Sequence, residues 1–298
     1  MSKGSLFWGK GSGKLGETVL YRAGGEQRTR TYVAKIKNPK TLAQMENRLS
    51  MRNFAMVYRA LKPFLSKSFP NRPAKESGFN AFVKANKSVL SAVVTREGAL
   101  QGLCVPYDMQ VSQGYLTQFG ECKRMEIGSG AYRVGFDLGS HPNIAAIRQL
   151  VPGSDSIDEF PQSNEQFKAL WDALQIPVNG KITIIVAEYA DEGYSVRTVS
   201  LGRESNYLDA INSPFNLTTR TVEIDGDDHV LLEVGGNTSD VIASCIISWV
   251  DGNGKLQVTN SRMMIPNSDL SYGTQFCKGG DVYSQVLEQY GYTQNDAI

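Results

Sequence analysis

The sequence predicts an α+β chain. A basic N-terminal β-hairpin and two helices occupy residues 1–99. An acidic, antiparallel β-rich, sandwich-like domain with short helices follows over residues 100–298. Three observations predict this. Charge is split end from end: residues 1–99 hold 19 of the 31 Lys and Arg but 5 of the 30 Asp and Glu, a net of +14, while residues 100–298 are net −13. Apolar residues recur at helical spacing between about residues 39 and 94, whereas short β-branched runs dominate after residue 181. Gly- and Asp-rich turn signals separate those later runs.

The length of 298 residues suits about two domains. A hydrophobic content of 41% with 20% charged residues is that of a globular protein with a core to bury. No stretch approaches the ~20 apolar residues of a membrane span. No apolar segment follows Met1-Ser2-Lys3-Gly4-Ser5-Leu6-Phe7-Trp8, so no signal peptide and a cytoplasmic location (or a virion, if phage-encoded) are expected. The N-x-S/T matches at Asn86, Asn216 and Asn237 are then chance matches. Cys104, Cys122, Cys245 and Cys277 form no CxxC pair and have no histidine at ligand spacing, so reduced thiols are expected. The two histidines, His141 and His229, are too few for a histidine metal cage and weigh against a triad.

Along the chain, residues 17–22 read as a strand, Ala23-Gly24-Gly25-Glu26 as a turn and residues 27–34 as the returning strand. Alternation puts Arg28 and Arg30 on one face and Thr29 and Thr31 on the other. Asn38-Pro39 starts a helix that should run to about Leu61, with Pro63 bending or ending it. Arg48, Arg52, Arg59 and Lys62 fall within roughly 80° of one another on that helix. A loop with Pro70 and Pro73 leads to a second helix expected over residues 77–94. Residues 100–140 read as short strands and residues 142–150 as a short helix. A polar linker at 152–161 precedes a helix capped by Ser163 and running through Phe167, Leu170, Trp171 and Leu174. Strands follow at 182–190, 194–200, 218–224, 229–234, 241–250 and 255–263, with turns at 225–228 and 251–254, and a last helix spans 281–290.

Few motifs point to chemistry. Gly11-Ser12-Gly13-Lys14-Leu15-Gly16 matches GxGxxG, but a strand rather than a helix follows it, and no acidic residue lies about twenty positions on. It reads as a flexible loop. Trp8 and Leu15 rule out a phosphate-binding P-loop. Asp225, Asp227 and Asp228 lack the spacing and closing Glu of a calcium loop and read as a turn. No catalytic residue, metal or cofactor is assigned.

The basic set does point somewhere. Lys10, Lys14, Arg22, Arg28, Arg30, Lys35, Lys37 and Lys40, with Arg48 and Arg52 on the helix, interleave with Phe7, Trp8, Tyr21 and Tyr32. Arginine forks and lysine point charges suit phosphates, and aromatic rings stack on unpaired bases. Two other readings stay open: a merely solvated basic face, and an assembly in which the basic arm docks on the acidic body of a neighbouring copy.

Gly13-Lys14-Leu15-Gly16, Val19-Leu20-Tyr21-Arg22, Lys37-Asn38-Pro39-Lys40-Thr41, Ala43-Gln44, Asn47-Arg48-Leu49 and Leu61-Lys62-Pro63 together resemble the opening of a protein family from gut anaerobic bacteria and their mobile elements. Ile246-Ile247-Ser248-Trp249-Val250-Asp251-Gly252-Asn253-Gly254-Lys255 with Thr259-Asn260-Ser261 resembles that family's closing hairpin. The resemblance covers roughly residues 9–66 and 243–262. It implies a basic hairpin, a helix and a β-rich body in a phage or plasmid setting, and transfers no activity. The expectation is therefore a non-enzymatic, sequence-nonspecific nucleic-acid-binding protein. Trp8 and Tyr32 would stack, and the alternative is a virion-type structural subunit that forms homo-oligomers.

Overall fold

The computed structural model describes residues 12–23, 26–34, 41–89, 92–116, 120, 122–128, 131–153, 160–206, 218–224, 226–234, 241–264 and 272–290. The chain forms two compact units, Met1–Thr41 and Leu42–Ile298.

The first unit is a three-stranded antiparallel meander of β1 (Gly13–Leu15), β2 (Thr18–Ala23) and β3 (Glu26–Thr31). Gly16, at φ +59°, makes the tight turn between β1 and β2, a conformation that L side chains rarely adopt. The expected hairpin is therefore present with a third strand added. Gly13-Lys14-Leu15, read from sequence as loop, pairs with Leu20, Val19 and Thr18. Glycine weakens a strand signal, but the pairing of a neighbour overrides it.

In the second unit, α1 (Leu42–Ala60) and α2 (Lys62–Leu65) meet at Leu61. Pro63 lies in the first turn of α2, where its missing N–H costs nothing, so it restarts the helix as well as ending the previous one. Then follow α3 (Gly78–Ala85), α4 (Arg96–Gln101), β4 (Gln110–Ser112), β5 (Cys122–Gly128), β6 (Ala131–Asp137), α5 (Ile144–Leu150) and α6 (Asn164–Ala173). The remainder is β7 (Lys181–Tyr189), β8 (Tyr194–Gly202), β9 (Thr218–Ile224), β10 (Asp227–Val234), β11 (Val241–Val250), β12 (Leu256–Val258), β13 (Ser261–Arg262), α7 (Tyr272–Gln275) and α8 (Asp281–Gln289).

Two expectations are corrected. The second helix, expected to reach residue 94, stops at Ala85, where the buried Asn86 caps it, its side chain bonding both Phe82 O of the last turn and another segment. Its Nδ2 donates to Gln110 O (2.9 Å), and its Oδ1 accepts from Gln110 N. Residues 96–101, expected in part as strand, form α4, whose N-cap Thr95 accepts from Gly98 N at 2.9 Å.

The strands form two four-stranded antiparallel sheets. One has the order β12-β11-β7-β8 and the other β5-β6-β10-β9; β13 pairs with β4. The first sheet is the middle layer. On one face, Ile182, Ile184 and Val186 of β7 and Val241, Ala243, Cys245 and Ile247 of β11 meet Phe136, Val230 and Leu232 of the second sheet and Leu138 just after β6. Phe167, Leu170 and Trp171 of α6 join that core. On the other face, Ile185, Ala187, Tyr194, Ile242 and Ile246 meet Phe54, Val57, Leu61, Leu65 and Phe82. The core thus runs across the 99/100 boundary expected from charge, and the compact units divide at Thr41/Leu42 instead.

All four cysteines are buried and free. Burial pushes the Cys104 thiol up to about 12 and Cys277 up to about 11, and raises Cys122 and Cys245 as well.

Asn53, fully buried on α1, holds the helical layer to the segment before β4. Its Nδ2 donates to Val105 O and its Oδ1 accepts from Val105 N, both at 2.9 Å. Asn53→Leu leaves that N–H and C=O without partners in the core. It should lower the unfolding free energy by about 2–4 kcal/mol, read as a lower urea midpoint with unchanged slope.

Candidate nucleic-acid interface

Register decides which basic residues share a face. In the first unit Lys14 pairs with Val19, Val19 with Arg30, and Tyr21 with Arg28. Directly paired residues project to the same side of a sheet. One face therefore carries Lys14, Val19, Tyr21, Arg28 and Arg30. Tyr32 joins it, since Lys14 Nζ sits 3.6 Å from the centre of its ring. The Arg30 guanidinium lies 5.9 Å from the Tyr21 ring centre. These are cation–π distances, and they hold the flexible cationic stems beside flat rings.

Arg22 pairs with Gln27 and so lies on the opposite face, with Leu15, Thr18, Leu20, Thr29 and Thr31. Arg28 also makes a 3.4 Å ion pair with Glu26, both side chains well exposed; such a pair is easily exchanged for another anion. Among the described residues of this unit none is buried.

The other expected residues divide. Arg48 and Arg52 belong to the second unit. Arg48 is exposed, whereas Arg52 is half-buried with its guanidinium 5.2 Å from the ring centre of Tyr290, a contact that ties α1 to the end of α8. Trp8, Lys10, Lys35, Lys37 and Lys40 lie outside the described residues.

Sequence reasoning missed two features of the body. The first is a groove of about 770 Å³ between the middle sheet and the 63–76 segment, walled by Pro63, Pro70 and Pro73. Under the helices, the sheet face is apolar at Ile185, Ala187, Tyr194 and Ile246. Beyond them it turns polar at Lys181, Thr183, Thr198, Ser200 and Ser248. That switch is readable in β7 and β8 once the covering helices are known.

The second is a half-buried trio on the second sheet. Asp137 Oδ2 lies 3.0 Å from His229 Nδ1 and 3.5 Å from Lys123 Nζ. A neighbouring cation and imidazole compensate the carboxylate, so the trio is a satisfied polar network. Among the described residues, no group of three or more His, Cys, Asp or Glu side chains is placed to hold a metal ion. No described helix is long and apolar enough to cross a membrane. No family model, curated protein or solved structure matches the chain.

The other histidine, His141, favours its neutral form. His141 Nδ1 accepts from Asn143 N at 3.1 Å, and the ring also bonds the Leu174 backbone. Burial holds its pKa below the usual 6.5. The unfolded chain therefore binds a proton that the native chain resists, and stability falls as pH drops through 6.5. Between about pH 7 and pH 5.5 the urea midpoint should decline, and His141→Gln should flatten that decline relative to the parent.

Proposed function

We propose that the chain is a non-enzymatic nucleic-acid-binding protein that grips phosphates through its basic N-terminal region, largely without sequence preference. One observation carries this reading: Lys14, Arg28 and Arg30 stand among Tyr21 and Tyr32 on one face of a sheet that buries no described side chain. Cations supply sequence-independent attraction to the backbone. Exposed rings add stacking where bases are unpaired. A β-ribbon is also narrow enough to enter a major groove. Residues 1–41 contain nine Lys and Arg against two Glu, so a polyanion meets little local repulsion. The resemblance drawn from sequence supports a phage or mobile-element setting.

Binding should weaken steeply with salt. Arg28→Gln with Arg30→Gln should remove about two phosphate contacts. It should reduce the slope of log affinity against log salt by about 1.4 on single strands and about 1.8 on duplex. Fluorescence anisotropy between low and moderate salt checks this, and an unchanged slope in the double variant would sink the reading.

A second reading has support from the same uncovered sheet. In it the chain is a virion-type assembly subunit, and the arm lies on the acidic body of another copy. Leu15 and Val33, both more than half exposed, would then be covered by the neighbour. This reading requires oligomers free of nucleic acid that dissociate with salt. Light scattering behind size exclusion, with the 260/280 absorbance ratio, separates the two.

A further inference from the structure

We propose that the body carries a second nucleic-acid contact, a stacking site for an unpaired base built on Tyr115. It rests on the nucleic-acid reading and narrows it to strands with accessible base faces.

Tyr115 is 78% exposed, yet the chain on either side of it is tied down. Gln113 N donates to Ser68 O at 3.0 Å, and Leu116 N donates to Val258 O at 3.2 Å. Gly114 lies so close to β12 that a Cβ there would sit 1.9 Å from Val258 O. Only glycine permits that approach, and a backbone pinned in this way holds the ring out in water. Lys255 Nζ stands 5.8 Å from the ring centre.

The ring borders a groove of about 650 Å³, within the range of small-ligand sites. Lys84 lines it, together with Gln110, Gln113 and Asn260; Glu76 also borders it, and Arg72 does so with its guanidinium donating to Phe69 O and Glu76 O. The Gln110 amide donates to both Asn260 Oδ1 and Ser112 O. Three kinds of chemistry therefore meet. A flat ring suits a base face, side-chain amides both donate and accept as a base edge requires, and cations suit phosphate. In a duplex the base faces are already stacked, so the site favours single strands.

The test measures anisotropy of the full chain with a labelled oligothymidine and with its duplex on oligodeoxyadenosine. Tyr115→Ala should weaken oligothymidine about tenfold and change the duplex by less than about twofold. Tyr115→Phe, which keeps the ring, should bind both probes like the parent. Tyr115 is exposed, so the alanine variant should fold normally, as thermal melting will verify. If Tyr115→Ala binds both probes like the parent while Arg28→Gln with Arg30→Gln weakens both, the stacking site is overturned and the hairpin reading stands. If neither probe binds in a salt-dependent way, both fail together.

Discussion

Between Ile184 and Ala187 strand β7 is apolar on both faces, and the rest of the second unit follows from that. Ile182, Ile184 and Val186 face one way and Ile185 and Ala187 the other, all buried. Near-continuous apolar runs are more familiar in parallel sheets covered by helices on both sides. Here the sheet is antiparallel, so the cover comes from different elements on each side: α1 to α3 over one face, α6 and the second sheet over the other. Burying a side chain of this kind is worth roughly 1.5–3 kcal/mol, and leaving either face open would forfeit several such contributions. The basic helices consequently cannot form a separate domain. Their apolar stripe belongs to the acidic body, and their charge faces solvent.

The first unit obeys the opposite rule. A small sheet is stable when it can pack one apolar face, and this one has no buried side chain among those described. Its ordered contacts are ladder hydrogen bonds and cation–π pairs, which stay accessible to an incoming ligand. The chain thus joins a body that meets its own packing needs to a small sheet with surface to spare. That division of labour underlies both readings of function.

Much of this was legible from sequence. Apolar runs located β7 and β11, and the Ser163 cap located α6, because burial and capping leave local signatures. The alternation in residues 27–31 placed Arg28 and Arg30 together, as the register confirms. What escaped depends on partners distant in the chain. Nothing near Asn86 announces that its side chain, at the helix end, will also bond Gln110, 24 residues on. Periodicity gives the apolar stripe of α1 but not the sheet it covers. Tyr115 was invisible because a single tyrosine in a polar stretch carries no pattern; its exposure follows from how closely Gly114 approaches Val258.

Asn53 and Asn86 do one further thing. A carboxamide side chain is a peptide group in miniature, with one donor edge and one acceptor edge. Each of these asparagines presents both edges to a single backbone residue, Val105 or Gln110, much as a neighbouring strand would. Two helices are therefore joined to the segment leading into β4 in the manner of paired strands. Aspartate lacks the donor and leucine lacks both edges, while glutamine places the same group one methylene too far out. The rotation of α1 about its own axis is thereby indexed to a single amide. Apolar packing alone, which tolerates a shuffle of similar shapes, would leave that angle loosely defined.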